Sequence, residues 1–374
     1  MSEGSPGSRH AALPLRVLQV GMSPGFGGTE AIIYGIYRSL DPAKIQFDFL
    51  NVHDRPLAFE TELRERGARV FSLSLKRRGG YSRYVERIRK FYKEHSGEFD
   101  AVVCNIQCMD QIDMARFAYR FGVKKVFIHI HNSGYGFHVS PLLRLAIVRN
   151  KLSFKKYASA LLACSGQAAI WAYGKKEGRR AIIIKNGIDT GKFQYSDVKR
   201  ETLRKEWHVA DGVPVYGSMG RMVEQKNQLF LLSVFSEIAK KNPRAHFVLV
   251  GEGPLENALR ERASQLNLDD KLIWIPRLDD PSSFYCAIDA FVFPSLFEGL
   301  GIVLVEAQCS GLPCYFSADV IPQEVAVSAL AKPIPLALGA EGWAEEILEE
   351  PLSGNRLEAY AVVRNAGCDI GAVS

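Results

Sequence analysis

Two glutamates and two cations are spaced in this chain as a hydroxyl-bearing anionic ligand would need them. Glu298 and Glu306 are separated by seven residues within FVFPSLFEGLGIVLVEAQCSGLP, residues 291–313. Ala290–Phe293 reads as a buried strand, Phe297–Gly301 as a glycine-bearing turn, and Ile302–Ala307 as the first turns of a helix, with Glu306 about two turns in. Such a helix start leaves backbone N–H groups free and turns the positive end of its dipole toward an anion. Arg221 and Lys226 fall where another strand, Val215–Met219, passes through Gly220 into a helix from Asn227. A planar guanidinium and a mobile ammonium both suit phosphate, and together they would neutralise a diphosphate leaving group without a metal. Taken singly, each is equally a solvated cation at a helix start.

Two weaker signals lie in the same half. Gly251 and Gly253 follow the strand His246–Val250, where a base or phosphate can approach the backbone, although such a loop is often only a tight turn. Arg277 and Leu278 follow the strand Leu272–Ile275 and offer main-chain groups to a base edge. A glutamate pair also suggests glycosidase chemistry, but its setting on a strand–loop–helix beside two cations favours nucleotide binding. No Ser-His-Asp arrangement, Walker loop or zinc pattern stands out.

The elements that must position these residues form two alternating series. The first runs from the strand Arg16–Val20 through the loop Gly21–Glu30, with Gly27 and Gly28, into the helix Ala31–Leu40. Strands at Gln46–Val52, Arg69–Leu73, Ala101–Asn105, Lys125–His129, Ala160–Cys164 and Ala181–Ile184 follow, with helices between. His129 and His131 lie at the end of the Lys125 strand, where α/β proteins place ligands; a strand-end histidine is as often satisfied by backbone. The glycines near residue 27 do not fit the dinucleotide spacing. The pattern breaks around Asn186–Tyr195, and the second series begins near Val215. Parallel sheets with crossover helices are the economical topology. The expected division is a disordered lead over 1–13, an N-terminal domain over 14–190 and a C-terminal domain over 191–374, with ligand bound in the cleft between the domains.

At 374 residues the chain suits two domains, and 47% hydrophobic with 24% charged residues is ordinary for a soluble globular protein. No apolar run is long enough to span a bilayer, and no secretory signal opens the chain. Seven scattered cysteines without a CxxC pair read as reduced core thiols of a cytoplasmic protein. Residues 1–190 hold 30 Lys and Arg against 16 Asp and Glu, and residues 191–374 hold 17 against 25. The basic half, including Lys76-Arg77-Arg78, lacks a nucleic-acid motif. An anionic membrane surface or a phosphorylated acceptor suits it better, and the basic helices Tyr81–Glu94 and Leu142–Tyr157 are either solvated faces or docking faces for anionic lipid.

Gly220-Arg221 with Lys226, Gly251-x-Gly253-Pro254 and the Glu298–Glu306 loop resemble the donor domain of glycosyltransferase family 4, with its GT-B fold. Lys185–Asp189, Val223–Asn227, Pro294–Gly299, Gly27-Gly28-x-Glu30 and Ile45–Phe49 extend the likeness to EpsF-like enzymes of exopolysaccharide and capsule synthesis, over nearly the whole chain from Leu15. The resemblance implies an α/β protein with two Rossmann-like domains facing each other across a deep cleft. It implies retaining sugar transfer from a nucleotide-diphosphate sugar, UDP by analogy, to a growing glycan or lipid-linked acceptor. It implies no catalytic metal and no cofactor, the nucleotide sugar being a substrate. Arg221 and Lys226 would stabilise the diphosphate and Glu306 would hold the ribose. Glu298 would sit by the donor sugar, and the amides of Gly299, Leu300, Gly301, Ile302, Val303 and Leu304 would meet sugar and phosphate. Gly27 and Gly28 would close over the donor, and His131 would touch sugar or acceptor near the anomeric centre. In this family the last helix commonly crosses back onto the N-terminal domain; the ending Gly367–Ser374 implies a shortened crossover. A nucleotide-binding scaffold with weak catalysis is the alternative. A phosphorylase or hydrolase lacks support, because no pyridoxal lysine motif is recognisable.

Overall fold

A computed structural model describes residues 13–25, 27–73, 80–135, 139–318, 320–349 and 356–373. The basic Lys76-Arg77-Arg78 stretch and nearly all of the expected lead lie outside the described residues. Two parallel sheets carry the fold. The first holds β1 (Leu15–Val20), β2 (Ile45–Asn51), β3 (Val70–Ser72), β4 (Ala101–Ile106), β5 (Lys125–Ile130), β6 (Ala160–Ala163) and β7 (Ile182–Ile183), in the order β3-β2-β1-β4-β5-β6-β7. The second holds β8 (Val215–Met219), β9 (His246–Val250), β10 (Leu272–Ile275), β11 (Ala290–Phe293), β12 (Cys314–Ser317) and β13 (Ala331–Ile334), in the order β10-β9-β8-β11-β12-β13. The two orders share one pattern: the first strand is central and the fourth lies beside it. That reversal is the Rossmann switch point, beside which open α/β sheets bind ligand. The chain has two Rossmann-like domains, as the alternating pattern predicts.

The chain packs into two compact units. One takes the residues through Asn105 with 112–128 and 154–159; the other takes 106–111, 129–153 and 160–374. In the second unit β11 and β12 are wholly buried, which is why their sequences run apolar without alternation. Among the elements not read from sequence are β12, β13 and the helix Gly339–Glu349, whose Trp343 is buried and donates its indole N–H to Pro335 O at 3.0 Å. The end of the chain is tied back on the Lys185–Thr190 passage. Ile188 N donates to Cys368 O and Ile370 N to Ile188 O, each at 2.8 Å, and Thr190 bonds Asp369. All seven cysteines are buried and none forms a disulfide.

Three arginines converge beneath the candidate site. The helix Pro281–Ala287 ends in carbonyls that need partners. Arg200 supplies N–H groups to Cys286 O and Ala287 O at 3.2 Å, and Arg204 to Ala287 O at 3.1 Å. Arg356 reaches Tyr285 O at 2.6 Å and Ser310 O at 2.8 Å, joining this helix to the end of the helix Ile302–Cys309. Asp289, just before β11, takes Arg200 at 2.6 Å, Arg204 at 3.2 Å and the Val215 amide of β8 at 2.8 Å. It therefore fixes the spacing of the two strands that lead into the site. Replacing Asp289 with Ala leaves the buried Arg204 without its carboxylate, and urea unfolding should show a loss of about 3 kcal/mol. Lys240→Ala, which breaks the exposed pair with Glu237, should cost under about 1 kcal/mol in the same measurement.

Candidate functional site

The loops leaving β8 and β11 meet at the switch point of the second sheet and are laced together. Leu296 N donates to Gln225 O at 2.8 Å, the Gln225 amide to Phe297 O at 3.0 Å, and the Asn227 amide to Pro294 O at 3.1 Å. Inside that lacing Lys226 Nζ lies 2.6 Å from Glu298 Oε1, and 4.7 Å from the centre of the Phe293 ring. Glu298 is 6% exposed, so its charge is removed from water and needs this cation. The spacing from Lys226 to Glu298 in sequence says nothing of this pairing; adjacency of β8 and β11 makes it.

Gly220, at the end of β8, donates its N–H to Val250 O at 2.9 Å, and Met222 N donates to Glu252 O at 2.9 Å. A side chain on Gly251, whose φ is +139°, would overlap the Gly220 carbonyl, and one on Gly253 would overlap that of Met222. These glycines admit a neighbouring backbone rather than simply leaving room for ligand. Gln228 holds the same loop, donating to Arg221 O at 3.0 Å. The Arg221 side chain is exposed and forms no ion pair among the described residues. Arg277 and Leu278 follow β10 at the edge of the sheet; Arg277 is exposed and Leu278 packs against the core. That core cluster also contains Phe293 and Leu300 of the β11 segment.

Glu306 is one turn, not two, into its helix, because the helix begins at Ile302 with Gly301 as its cap. Gly299, Leu300 and Gly301 form the turn before it, Ile302 and Val303 are half-buried at its start, and Leu304 points into the core. Tyr285 donates its hydroxyl to Glu306 Oε2 at 2.7 Å. Burial pushes the Glu306 carboxyl up to about 7, against the opposing pull of the Tyr285 hydrogen bond and the Lys192 charge. Tyr285 was not a sequence candidate, and nothing in its local spacing marks it.

His131 falls in the same compact unit as the Glu298 loop. Its carbonyl lies so close to Gly299 that a Cβ there would overlap it. Ser133 Oγ donates to Glu298 O, and Ser165 Oγ donates to Gly299 O at 2.6 Å while capping the helix Gly166–Gly178. Sequence reasoning missed both serines. Their signal was position alone, each following a strand of the first sheet. The His131 ring is buried beside that of His129, 4.0 Å between centroids, and burial holds the His131 pKa well below its ordinary value. His131 is therefore a neutral imidazole near pH 7.

Gly27 and Gly28 belong to the first unit, where Gly27 caps the helix Gly28–Ser39 in extended conformation and both are exposed. Glu30 braces their loop, accepting from Ser23 N at 3.0 Å and Ser23 Oγ at 2.7 Å. Among the described residues there is no group of three His, Cys, Asp or Glu placed to hold a metal ion.

The raised Glu306 pKa has a defined sign. Between pH 4.5 and 7 the folded chain keeps a proton that the unfolded chain releases, so the Glu306 contribution to stability falls as pH rises through that window. Glu306→Gln removes this term. Its melting temperature should gain on that of the wild type as pH rises from below 4.5 to above 7, and a gap that stays constant would show that the carboxyl is not raised.

The comparisons with known proteins agree with this geometry. The family model described as glycosyl transferases group 1 matches residues 199–331, which include β8 to β12 and all the lacing residues. A Bacillus subtilis (strain 168) protein with the name glycosyltransferase EpsF is 31% identical over 343 residues, 91% of this chain and 88% of its own. The Escherichia coli UDP-Gal:alpha-D-GlcNAc-diphosphoundecaprenol alpha-1,3-galactosyltransferase is 34% identical over 138 residues, 36% of each chain. Among solved structures, Anabaena HepE in complex with UDP and glucose matches with a TM-score of 0.75 at 18% identity, over 96% of this chain and 97% of its own. Sucrose-phosphate synthase from Thermosynechococcus elongatus matches with a TM-score of 0.73 at 16% identity, over 96% of each chain. These matches span both sheets and show the GT-B fold expected from sequence. The chain belongs to the group 1 glycosyltransferases, enzymes that use a nucleotide sugar.

Proposed function

We propose that this glycosyltransferase is a retaining, metal-independent enzyme of surface polysaccharide synthesis, moving a hexose from a UDP-sugar to a growing glycan or lipid-linked acceptor. The observation that carries the reading is the Lys226–Glu298 pair at the meeting of the β8 and β11 loops, with exposed Arg221 on one loop and a helix N-terminus on the other. Lys226 and Arg221 counter the charge that develops on the leaving diphosphate, and the first-turn amides from Gly299 to Leu304 add a fixed dipole. Glu306 accepts the ribose hydroxyls. Glu298, ion-paired with Lys226, orients the sugar, with neutral His131 as a hydrogen-bond partner for sugar or acceptor. The acceptor oxygen forms its bond to the anomeric carbon as the bond to the diphosphate breaks, and the acceptor proton leaves with the nucleotide. No resident cofactor enters this scheme.

Residues 14–190 are assigned to the acceptor side, with Gly27 and Gly28 at its donor-facing loop, and residues 191–374 to the donor side. A UDP donor is supported by the names of the galactosyltransferase and HepE comparisons. A lipid-linked acceptor is supported by the galactosyltransferase and by the alpha-monoglucosyldiacylglycerol synthase of Streptococcus pneumoniae, 29% identical over 136 residues. Acting on such acceptors, the enzyme would work at the cytoplasmic face of the plasma membrane. Among the described residues no helix is long and apolar enough to cross a membrane, so attachment there would be peripheral.

The test is a calorimetric titration with a panel of nucleotide sugars, followed by mass spectrometry of the released nucleotide and product. Arg221→Ala, which unpairs no buried group, and Glu306→Ala should each weaken binding of the preferred donor by roughly 10- to 100-fold. Unchanged affinity in both would sink the site. Donor binding without transfer to any glycan or lipid acceptor would favour a nucleotide-binding scaffold.

A further inference from the structure

The helix Pro141–Ser153 turns an apolar face to solvent. Leu142 is 82% exposed, Leu145 66%, Val148 50% and Leu152 83%. With about 100° between successive residues, these four side chains fall within about 120° of each other around the helix. The opposite side is anchored. Ile147 is buried, Asn150 donates to Met109 O at 2.8 Å, and Lys151 donates to Trp171 O at 2.7 Å. The stripe is therefore presented by a fixed helix. Single exposed leucines are ordinary, but four in register on one helix mark an interaction surface.

Charge decides among partners. Arg144 and Arg149 are exposed on the same helix, which carries no carboxylate. The surrounding sequence is as one-sided: between Asp113 and Glu177 there are 11 Lys and Arg and no Asp or Glu. Tyr135 and Trp171, with ring centroids 5.0 Å apart, adjoin the helix through Lys151, which lies 5.6 Å from the centre of the Trp171 ring. Aromatic rings of this kind settle where apolar and wet surroundings meet. A partner that is uniformly negative outside and apolar within is an anionic bilayer. The other basic helix, Gly80–His95, lacks such a stripe. Its Ile88, Phe91 and Tyr92 are buried, and from residue 82 on its exposed residues are Ser82 and charged side chains that include Glu86 and Glu94.

We propose that the Pro141–Ser153 helix docks the protein on an anionic bilayer. Leu142, Leu145, Val148 and Leu152 enter the headgroup–acyl boundary, and Arg144 and Arg149 meet lipid phosphates. The proposal rests on the lipid-linked acceptor reading for its purpose and on the exposed face for its chemistry.

The experiment floats the full chain with vesicles of phosphatidylcholine alone or of phosphatidylcholine with phosphatidylglycerol. The wild type should bind the anionic vesicles and release with added salt. Arg144→Gln with Arg149→Gln should lower partitioning roughly 30-fold, about fivefold for each basic contact. Leu142→Ser, Leu145→Ser and Leu152→Ser together should lower it at least as far. Both variants should keep the wild-type melting temperature and donor titration. An environment-sensitive dye on Leu145→Cys, selective because the seven native cysteines are buried, should shift to the blue on anionic vesicles only. Variants that bind like the wild type, equal binding to both vesicle types, or a dye that does not shift would each overturn the proposal. So would a dimer that the serine substitutions dissolve without changing vesicle binding, since a second copy would then cover the face. Vesicle binding without nucleotide-sugar binding would refute the transferase mechanism and leave the docking face standing; the converse result would do the opposite.

Discussion

Lys226 and Glu298 are each other's condition. A carboxylate that is 6% exposed has lost most of its hydration, and an ammonium at 2.6 Å restores much of what was lost. The pair brings the β8 and β11 loops into register, and the Gln225 and Asn227 contacts surround it with satisfied backbone. The result is a polar junction whose ion pair and backbone contacts are complete within the protein itself. In the proposed transfer, preorganisation of this kind would spare the reorganisation that water needs around a departing diphosphate. The seven residues between Glu298 and Glu306 follow from it. Glu298 has to stay in the loop to reach Lys226, while Glu306 has to be one turn into the helix to reach Tyr285.

Glu306 depends on more distant parts of the chain. Tyr285 donates to it from the helix Pro281–Ala287, and that helix ends on carbonyls gathered by Arg200, Arg204 and Arg356. Arg356 comes from the last described segment and also binds Ser310 O, at the end of the Glu306 helix. One guanidinium thus joins the ends of the two helices whose side chains meet at Glu306. Five donors in a rigid fork allow this, where a lysine would satisfy one or two carbonyls and leave the others buried without a partner.

The glycines show how one composition serves two purposes. Gly251 and Gly253 bring the loop after β9 against the Gly220–Met222 backbone, and Gly299 brings the β11 loop against His131. In each case a side chain would hold two backbones apart. The positions that seemed to await a phosphate are in part the joints that make the surrounding walls.

The alternating apolar runs determined the two parallel sheets, because strands buried on both faces must be apolar throughout and each parallel crossover requires a helix. The strand–glycine–helix turns marked the loops in which Lys226 and Glu298 lie, since such a turn carries the chain from a buried strand to a helix start with free N–H groups. Local sequence did not determine that Lys226 pairs with Glu298, that Tyr285 and Lys192 tune Glu306, or that Ser133 and Ser165 brace the Glu298 loop. These contacts join residues separated by 21 to 165 positions and depend on strand order. Nor could periodicity tell the solvated helix Gly80–His95 from the apolar-faced helix Pro141–Ser153, because both alternate basic and apolar residues. Burial decides between them, and burial belongs to the tertiary structure: the first helix packs its apolar side inward, while the second is held by Asn150 and Lys151 with its leucines outward.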